Sequence, residues 1–532
     1  MKKIISSILC VVMLLSSMLA ITSCFGGGGN GGGNGGGSDE VNLNLDLSKK
    51  PTLNILMPNS GKSIDSVNNN ANATLIEQLT GYKVNYTQLP AVDAGKTLNT
   101  ELMDKKQYDA MKLTKDQFSD LVNQDLLVDL TDALKVYGKD ILANISAESW
   151  EVVTVDGRIY GIPERASSDN IENPIVLNHD LMLQLGLDEP KTLDEFTAVL
   201  AAMTEELGKP ALTFDKYTPL VYAISAAFGI YSYWQEYTIN GKTEVLFYMN
   251  APGYKDYIDY MNGLYNAGYI DVEVVTNTAA DATTRFVNGF TNKEGAKAGA
   301  FATSLWSVPS IVTSMQSNGV ITANEAAGEL DDYLYYVRSL KKNASDTAKA
   351  KVYRSSGYTY ITAIPYYMAE NAGYAIDWMN SKIKDTETED NFRQMVLGTE
   401  GVHYSQDASG NYFPIDPAFA EKDDASYYMT GSNENKYTEY WKARVRKQAE
   451  LFRAWSELMA DADEVGVYNI VDFTPPIEDY NTNRSAIEEY AQNQFYIMLK
   501  NGSGQLNSYL TQLNGNKGCD EATAAINEWY NK

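Results

Sequence analysis

Between Thr52 and Leu113 the chain alternates strand and helix signals, and this restricts its architecture more than any other feature of the sequence. Thr52 to Met57 is a short apolar run of strand length, and Val84 to Gln88 alternates like a second strand. Tyr108 to Leu113 forms a third. Helical stretches fill the gaps, one around Thr74 to Leu79 with Gly81 as its stop, the other from Ala94 to Lys105. Strand, helix, strand, helix, strand at this spacing predicts a parallel, doubly wound α/β layer.

Further along, Thr192-Leu193-Asp194-Glu195 reads as a capping box. Thr192 accepts from the Glu195 amide while the Glu195 side chain reaches back to the Thr192 amide. Leu193, Phe196, Val199, Leu200 and Met203 then share one helical face. A second helix carries Tyr254, Tyr257, Ile258, Met261, Leu264 and Tyr265 at helical spacing and stops at Gly268. Both stripes are expected in the core. Clusters of Gly, Asn, Ser and Asp near 59–70, 405–411 and 514–520 mark loops.

The N-terminus has a different character. Lys2 and Lys3 precede an apolar stretch from Ile4 to Ala20, followed by small residues before Cys24. A charged start, an apolar core and a small-residue exit describe a secretory signal. The core is shorter than the ~20 apolar residues of a spanning helix and is broken by Ser16, Ser17 and Thr22. Ile21-Thr22-Ser23-Cys24 resembles a bacterial lipobox, which implies a diacylglycerol on Cys24. Phe25 to Ser38 is Gly and Asn almost throughout and cannot build a core. As a coil it spans ~20 Å on average. Residues 1–23 are therefore expected to be a signal peptide, and 24–49 a lipidated cysteine with its tether.

Cysteine usage agrees with this division. Beyond Cys10 in the leader and Cys24, only Cys519 remains, so no internal disulfide can form. A chain of 532 residues can bury a core without one, in two or three domains or two large lobes. Its net charge of −26 repels phosphate backbones, which excludes nucleic acid as a partner.

Catalytic signatures are few. His179 and His403 are the only histidines, and no His/Cys cluster has zinc spacing. Ser60-Gly61-Lys62-Ser63 looks like the end of a phosphate loop, but Leu56 stands where that motif needs glycine. No G-x-S-x-G elbow occurs, and the 69 acidic residues nominate no particular carboxylate dyad. Aromatic composition is more informative, with 37 Tyr and 7 Trp against 15 Phe. Rings that join a broad apolar face to a polar edge suit a wet binding site, and carbohydrate sites in particular.

Asp156-Gly157-Arg158-Ile159-Tyr160-Gly161-Ile162-Pro163 resembles the DGKIYGIP element of family 1 extracellular solute-binding proteins of ABC importers. LVNQDLLVDLTDAL (121–134) and VLNHDLMLQLGLDEPKTLDEF (176–196) are similar to the family's neighbouring segments. PGYKDYIDYMNGLYNAGYID (252–271) and GTEGVHY (398–404) resemble its longer LipO-like branch. The resemblance implies the two-lobed periplasmic-binding-protein-like α/β fold of class II type. In it, two doubly wound lobes joined by hinge strands close on a ligand and deliver it to a permease. By that pattern, lobe 1 is expected at 50–165 plus 298–365, and lobe 2 at 166–297 plus 366–532.

The resemblance implies no catalysis and no cofactor. Many LipO-like relatives carry a calcium loop after the helix that starts at Thr192; here Gly208-Lys209-Pro210-Ala211-Leu212 runs on without it. Asp407 to Asn411 reads as a plain turn, since it lacks the spaced carboxylates of a calcium loop. No metal is therefore expected. Trp234 in FGIYSYWQEY, Trp306 after AGAFATSLW, and Tyr358 and Tyr360 in SSGYTYITAIP are the ligand-binding candidates, with Glu164 and Arg165 after the Ile162-Pro163 crossing. The implied partners are an oligosaccharide, the permease subunits and, through the lipid, the outer face of a bacterial cell membrane, with the chain as a monomer. A secreted carbohydrate-active enzyme, and the same fold carrying a peptide or another small solute, remain the alternatives at this stage.

Overall fold

The structure, a computed structural model, describes residues 40–165, 170–291, 293–422 and 425–532. The signal peptide, Cys24 and the Gly-rich run lie outside the described residues. The rest divides into two compact units. Unit 1 gathers the residues up to Arg165 with Thr359–Val396 and Asp424–Tyr437, and unit 2 gathers Ala166–Tyr358, Leu397–Asp423 and Thr438–Lys532.

Unit 1 is built on a five-stranded sheet. Leu53–Met57 lies between Val84–Gln88 and Ala110–Leu113 and runs parallel to both, with Leu53 opposite Val84 and Ile55 opposite Ala110. Helices Ala71–Thr80 and Ala94–Met103 make the crossovers, as the alternation predicts. Gly81 ends the first at φ 73°, a left-handed conformation that glycine adopts at no steric cost. The sheet is mixed rather than wholly parallel, because Tyr358–Ala363 returns antiparallel to Ala110–Leu113, with Ile361 opposite Leu113. Ile162–Arg165 forms the far edge.

The DGRIYGIP motif acquires a local reason here. Asp156 and Gly157, at φ 50° and 78°, form the two-residue turn of a small hairpin that pairs Val155 with Arg158. A Cβ on Gly161 would stand 2.5 Å from Ile361 Cγ2, so the close approach of the neighbouring strand demands glycine.

In unit 2, Ile175–Asn178 runs between Leu334–Val337 and Ala300–Ala302, antiparallel to each, and Ala300–Ala302 is parallel to Leu212–Thr213. The capping box forms as expected: Thr192 Oγ1 accepts from Glu195 N (3.3 Å) and Glu195 Oε2 accepts from Thr192 N (3.0 Å). The helix it starts, Leu193–Leu207, buries Leu193, Phe196, Val199, Leu200 and Met203. Helix Tyr254–Asn266 turns its tyrosine stripe toward the long helix Glu478–Asn501, where the Tyr257 and Phe495 rings stack 6.2 Å apart.

The units differ from the expected lobes. Residues 298–358 belong to unit 2, because strands Ala300–Ala302 and Leu334–Val337 pair with Ile175–Asn178. Residues 366–396 belong to unit 1, where helix Ala372–Ile383 packs on Thr131–Tyr137 and Lys139–Asn144. Asn380 fixes that packing by accepting from the amides of Asp140 (2.8 Å) and Ile141 (3.1 Å) at the start of the second of these helices. The end of the expected tether is also part of unit 1. Tyr137 Oη donates to Asn42 O (2.8 Å) and accepts from Leu45 N (3.0 Å), and Lys50 pairs with Asp377 at 2.6 Å.

Candidate functional site

The residues nominated from sequence fall into two groups, one in each unit. In unit 1, Glu164 pairs with Lys112 at 2.8 Å, their side chains 4% and 0% exposed. Lys112 sits in the central strand Ala110–Leu113, whose four residues are all buried, and meets the acidic residue on the edge strand. Its Nζ also donates to the carbonyls of Ser426 (2.9 Å) and Tyr427 (3.1 Å) and lies 4.7 Å from the centre of the Tyr360 ring. Glu164 and Tyr360 therefore share Lys112 as a common neighbour.

A second buried lysine stands close by. Lys382 donates to Tyr428 O (2.9 Å) and lies 3.6 Å over the Trp378 ring. Burial holds it well below the ordinary lysine range, with repulsion from Lys112 adding and Glu164 opposing. Glu164 is pushed upward by burial and pulled back by Lys112 and Lys382. With 3% of its surface exposed, Glu164 serves the interior of unit 1. Arg165, the next residue, turns outward to Glu148 (3.2 Å) while its carbonyl accepts from Ser432 Oγ.

In unit 2 the tryptophans separate by environment. Trp234 is 1% exposed, its ring centre 5.1 Å from Phe247 and 5.7 Å from Tyr480, so it presents no face to a solute. Tyr358 packs edge-on to Phe473 at 5.7 Å, and Phe473 in turn meets Tyr468. Trp306, by contrast, is 41% exposed. It follows strand Ala300–Ala302 in a short turn whose amide at 306 is held by Ser304 Oγ (3.3 Å).

Trp306 belongs to a larger aromatic surface. Its ring stands edge-on to Trp441 at 5.5 Å, and Trp441 is followed by Trp455 at 6.1 Å and Phe452 beyond. One polar residue meets this cluster, where Trp455 Nε1 donates to Asn170 Oδ1 (3.0 Å). Burial raises the Glu172 carboxyl above its usual range, and the polar groups of Trp306 and Asn170 oppose the shift.

Trp441, Trp455, Asn170 and Glu172 escaped the sequence reading. The available signal was the tryptophan inventory: three of seven gather here, but from segments far apart in the chain. Among the described residues, no group of three or more His, Cys, Asp or Glu is placed to hold a metal ion. No helix among them is long and apolar enough to cross a membrane.

Residues 73–302 match the family described as bacterial extracellular solute-binding protein. That segment of the chain is similar to this family.

Among relatives of this chain is an uncharacterised protein of Niallia circulans. The two are 27% identical over 279 residues, which cover 52% of this chain and 98% of the relative. The polygalacturonan/rhamnogalacturonan-binding protein YtcQ of Bacillus subtilis is 24% identical over 264 residues. That match covers 48% of this chain and 47% of YtcQ, so it spans about half the length of that relative. An HMO-binding, ABC-transporter-associated solute-binding protein of Bifidobacterium longum infantis matches over 90% of this chain and 98% of its own, with a TM-score of 0.64. At 17% identity, what it shares with this chain is the two-lobed α/β fold.

Proposed function

We propose that this chain is the substrate-binding component of an ABC importer and captures an oligosaccharide for delivery to a membrane permease. The observation that carries the reading is the half-exposed Trp306 ring, braced edge-on by Trp441 at 5.5 Å. A sugar ring stacks its C–H face on such an indole while its hydroxyls meet the polar groups at the indole edge. Names among the relatives support the same ligand class, since one binds polygalacturonan and rhamnogalacturonan and another is HMO-binding. Tyr358, also in unit 2, is a further contact in this reading. The chain acts as a monomer, tied through a lipid on Cys24 to the outer face of the membrane.

A thermal-shift screen of the purified mature chain against an oligosaccharide panel tests the ligand class. A ligand at 100 times its Kd adds ~2.7 kcal/mol to stability. A Trp306→Ala substitution is expected to weaken that ligand about tenfold or more, with little loss of fold stability. A flat response to every sugar would overturn the carbohydrate reading. Metabolic labelling with a fatty-acid analogue, lost on Cys24→Ser, tests the anchor.

A further inference from the structure

A cleft of about 260 Å³ opens in unit 2, lined by Pro309, Asp416, Phe419, Ala420, Lys447 and Gln448. The turn Leu305–Ser307 that carries Trp306 runs directly into helix Val308–Ser317, so Pro309 stands three residues beyond Trp306. Residues three apart on a helical run are surface neighbours, ~5–6 Å between their Cβ atoms. One wall of the cleft therefore begins beside the exposed indole. The segments that form its other walls are fastened to each other by Arg446. Its guanidinium donates to Tyr412 O (3.0 Å) and to Asn411 Oδ1 (3.1 Å). It also lies 5.2 Å from the centre of the Phe413 ring and 5.1 Å from that of Phe452.

The lining suits a sugar ring. Phe419 and Pro309 supply apolar surface, and Asp416 and Lys447 carry opposite charges, so the cleft offers no net charge to an ion. Gln448 is the informative residue: its side-chain oxygen Oε1 is buried and has no hydrogen-bond partner among the described residues. A buried acceptor without a donor is costly and uncommon in native structures. A hydroxyl entering the cleft supplies that donor. At about 260 Å³ the cleft is smaller than the ~300–1,000 Å³ pockets that enclose whole small ligands, so it has room for one ring of a longer chain.

We infer that this cleft is a second subsite beside Trp306, which takes one neutral, hydroxyl-bearing sugar ring and makes the protein selective for chain length. The inference rests on the carbohydrate reading given above. A monosaccharide stacks on Trp306 alone. An oligosaccharide stacked there extends a further ring into the cleft, where a hydroxyl donates to Gln448 Oε1 and the C–H face meets Phe419 and Pro309.

The test is isothermal titration of the mature chain with neutral gluco-, galacto-, xylo- and fructo-oligosaccharides, from monosaccharide to pentasaccharide, for wild type, Gln448→Met and Ala420→Trp. Methionine keeps the length of glutamine without its acceptor, and a tryptophan at the exposed position 420 fills the cleft. In wild type, affinity within one of these series is expected to rise at least about tenfold once the chain is long enough to reach the cleft. Each variant should lose most of that rise, with an unchanged circular dichroism spectrum, and bind the shortest sugar within about twofold of wild type. An affinity that does not change with chain length, or a rise kept in full by either variant, would overturn the inference and leave the carbohydrate reading standing. Binding of no sugar at all would overturn both.

Discussion

Lys112 and Glu164 form a 2.8 Å ion pair with almost no exposure of either side chain. Such a pair costs both partners their hydration, and mutual attraction returns that cost only while both remain. Lys112→Met leaves a buried carboxylate and Glu164→Leu leaves two buried lysines without their counter-charge. Each single substitution is expected to lower unfolding free energy by ~3–5 kcal/mol, and the double substitution Lys112→Met with Glu164→Leu by clearly less than the sum. Urea unfolding of the four proteins measures this. Additive losses would show that the pair is not coupled.

Lys382 gives the fold a pH dependence of definite sign. Burial and Lys112 hold its pKa well below the ordinary value in the folded chain, while unfolding restores it to ~10.4. Between those two values the unfolded chain binds more protons, so stability rises with pH through that window and is flat below it. Thermal midpoints measured from pH 7 to 9 should therefore climb more steeply in wild type than in Lys382→Met. Lys112, lowered for the same reason, leaves part of the slope in the variant. Identical slopes would mean that Lys382 titrates normally.

Asn170 accepts the Trp455 indole N–H at 3.0 Å. Asn170→Ala leaves that N–H without its acceptor, at ~1–3 kcal/mol. The expected result is a lower thermal midpoint together with a shifted tryptophan emission. Unchanged emission would show that Asn170 does not hold the Trp455 indole.

Local features were legible in the sequence where their cause is local. Thr192 and Glu195 form their capping box because its geometry needs only four consecutive residues. Val84–Gln88 appears as a strand with the expected ends. The stretch 59–70, read as a loop from its Asn and Ser, instead contains helix Ile64–Asn69, because Ser63 caps it by accepting from Ser66 N. Near 405–411 the turn is as expected, with Asp407 Oδ1 accepting from the amides of Ser409 and Asn411, but it closes a hairpin that pairs Ser405 with Phe413.

The candidate site was less legible because burial is a tertiary property. Trp234 and Trp306 look alike in sequence, each standing beside a strand. Phe247 and Tyr480 enclose the first, and nothing near position 234 announces residue 480. The Trp455–Asn170 bond joins residues 285 positions apart and is invisible to any local pattern. The lobe assignment missed for the same reason: strand Ala300–Ala302 pairs according to its register with Ile175–Asn178, which no periodicity reveals.

Tyr137 holds residues 42–45 to unit 1. Its hydroxyl donates to Asn42 O and accepts from Leu45 N, two bonds that hold the segment before Lys50 to the domain surface. Each is worth ~0.5–1.5 kcal/mol net, so Tyr137→Phe should weaken local docking by ~1–3 kcal/mol. That raises the undocked population by roughly 5- to 150-fold without global unfolding. Hydrogen exchange at the Leu45 amide is expected to accelerate by that factor, while amides of strand Leu53–Met57 keep their protection. Equal acceleration in the strand would mean that the hydroxyl supports the whole unit and not this segment alone. An unchanged Leu45 rate would place the docking energy in the Lys50–Asp377 pair instead.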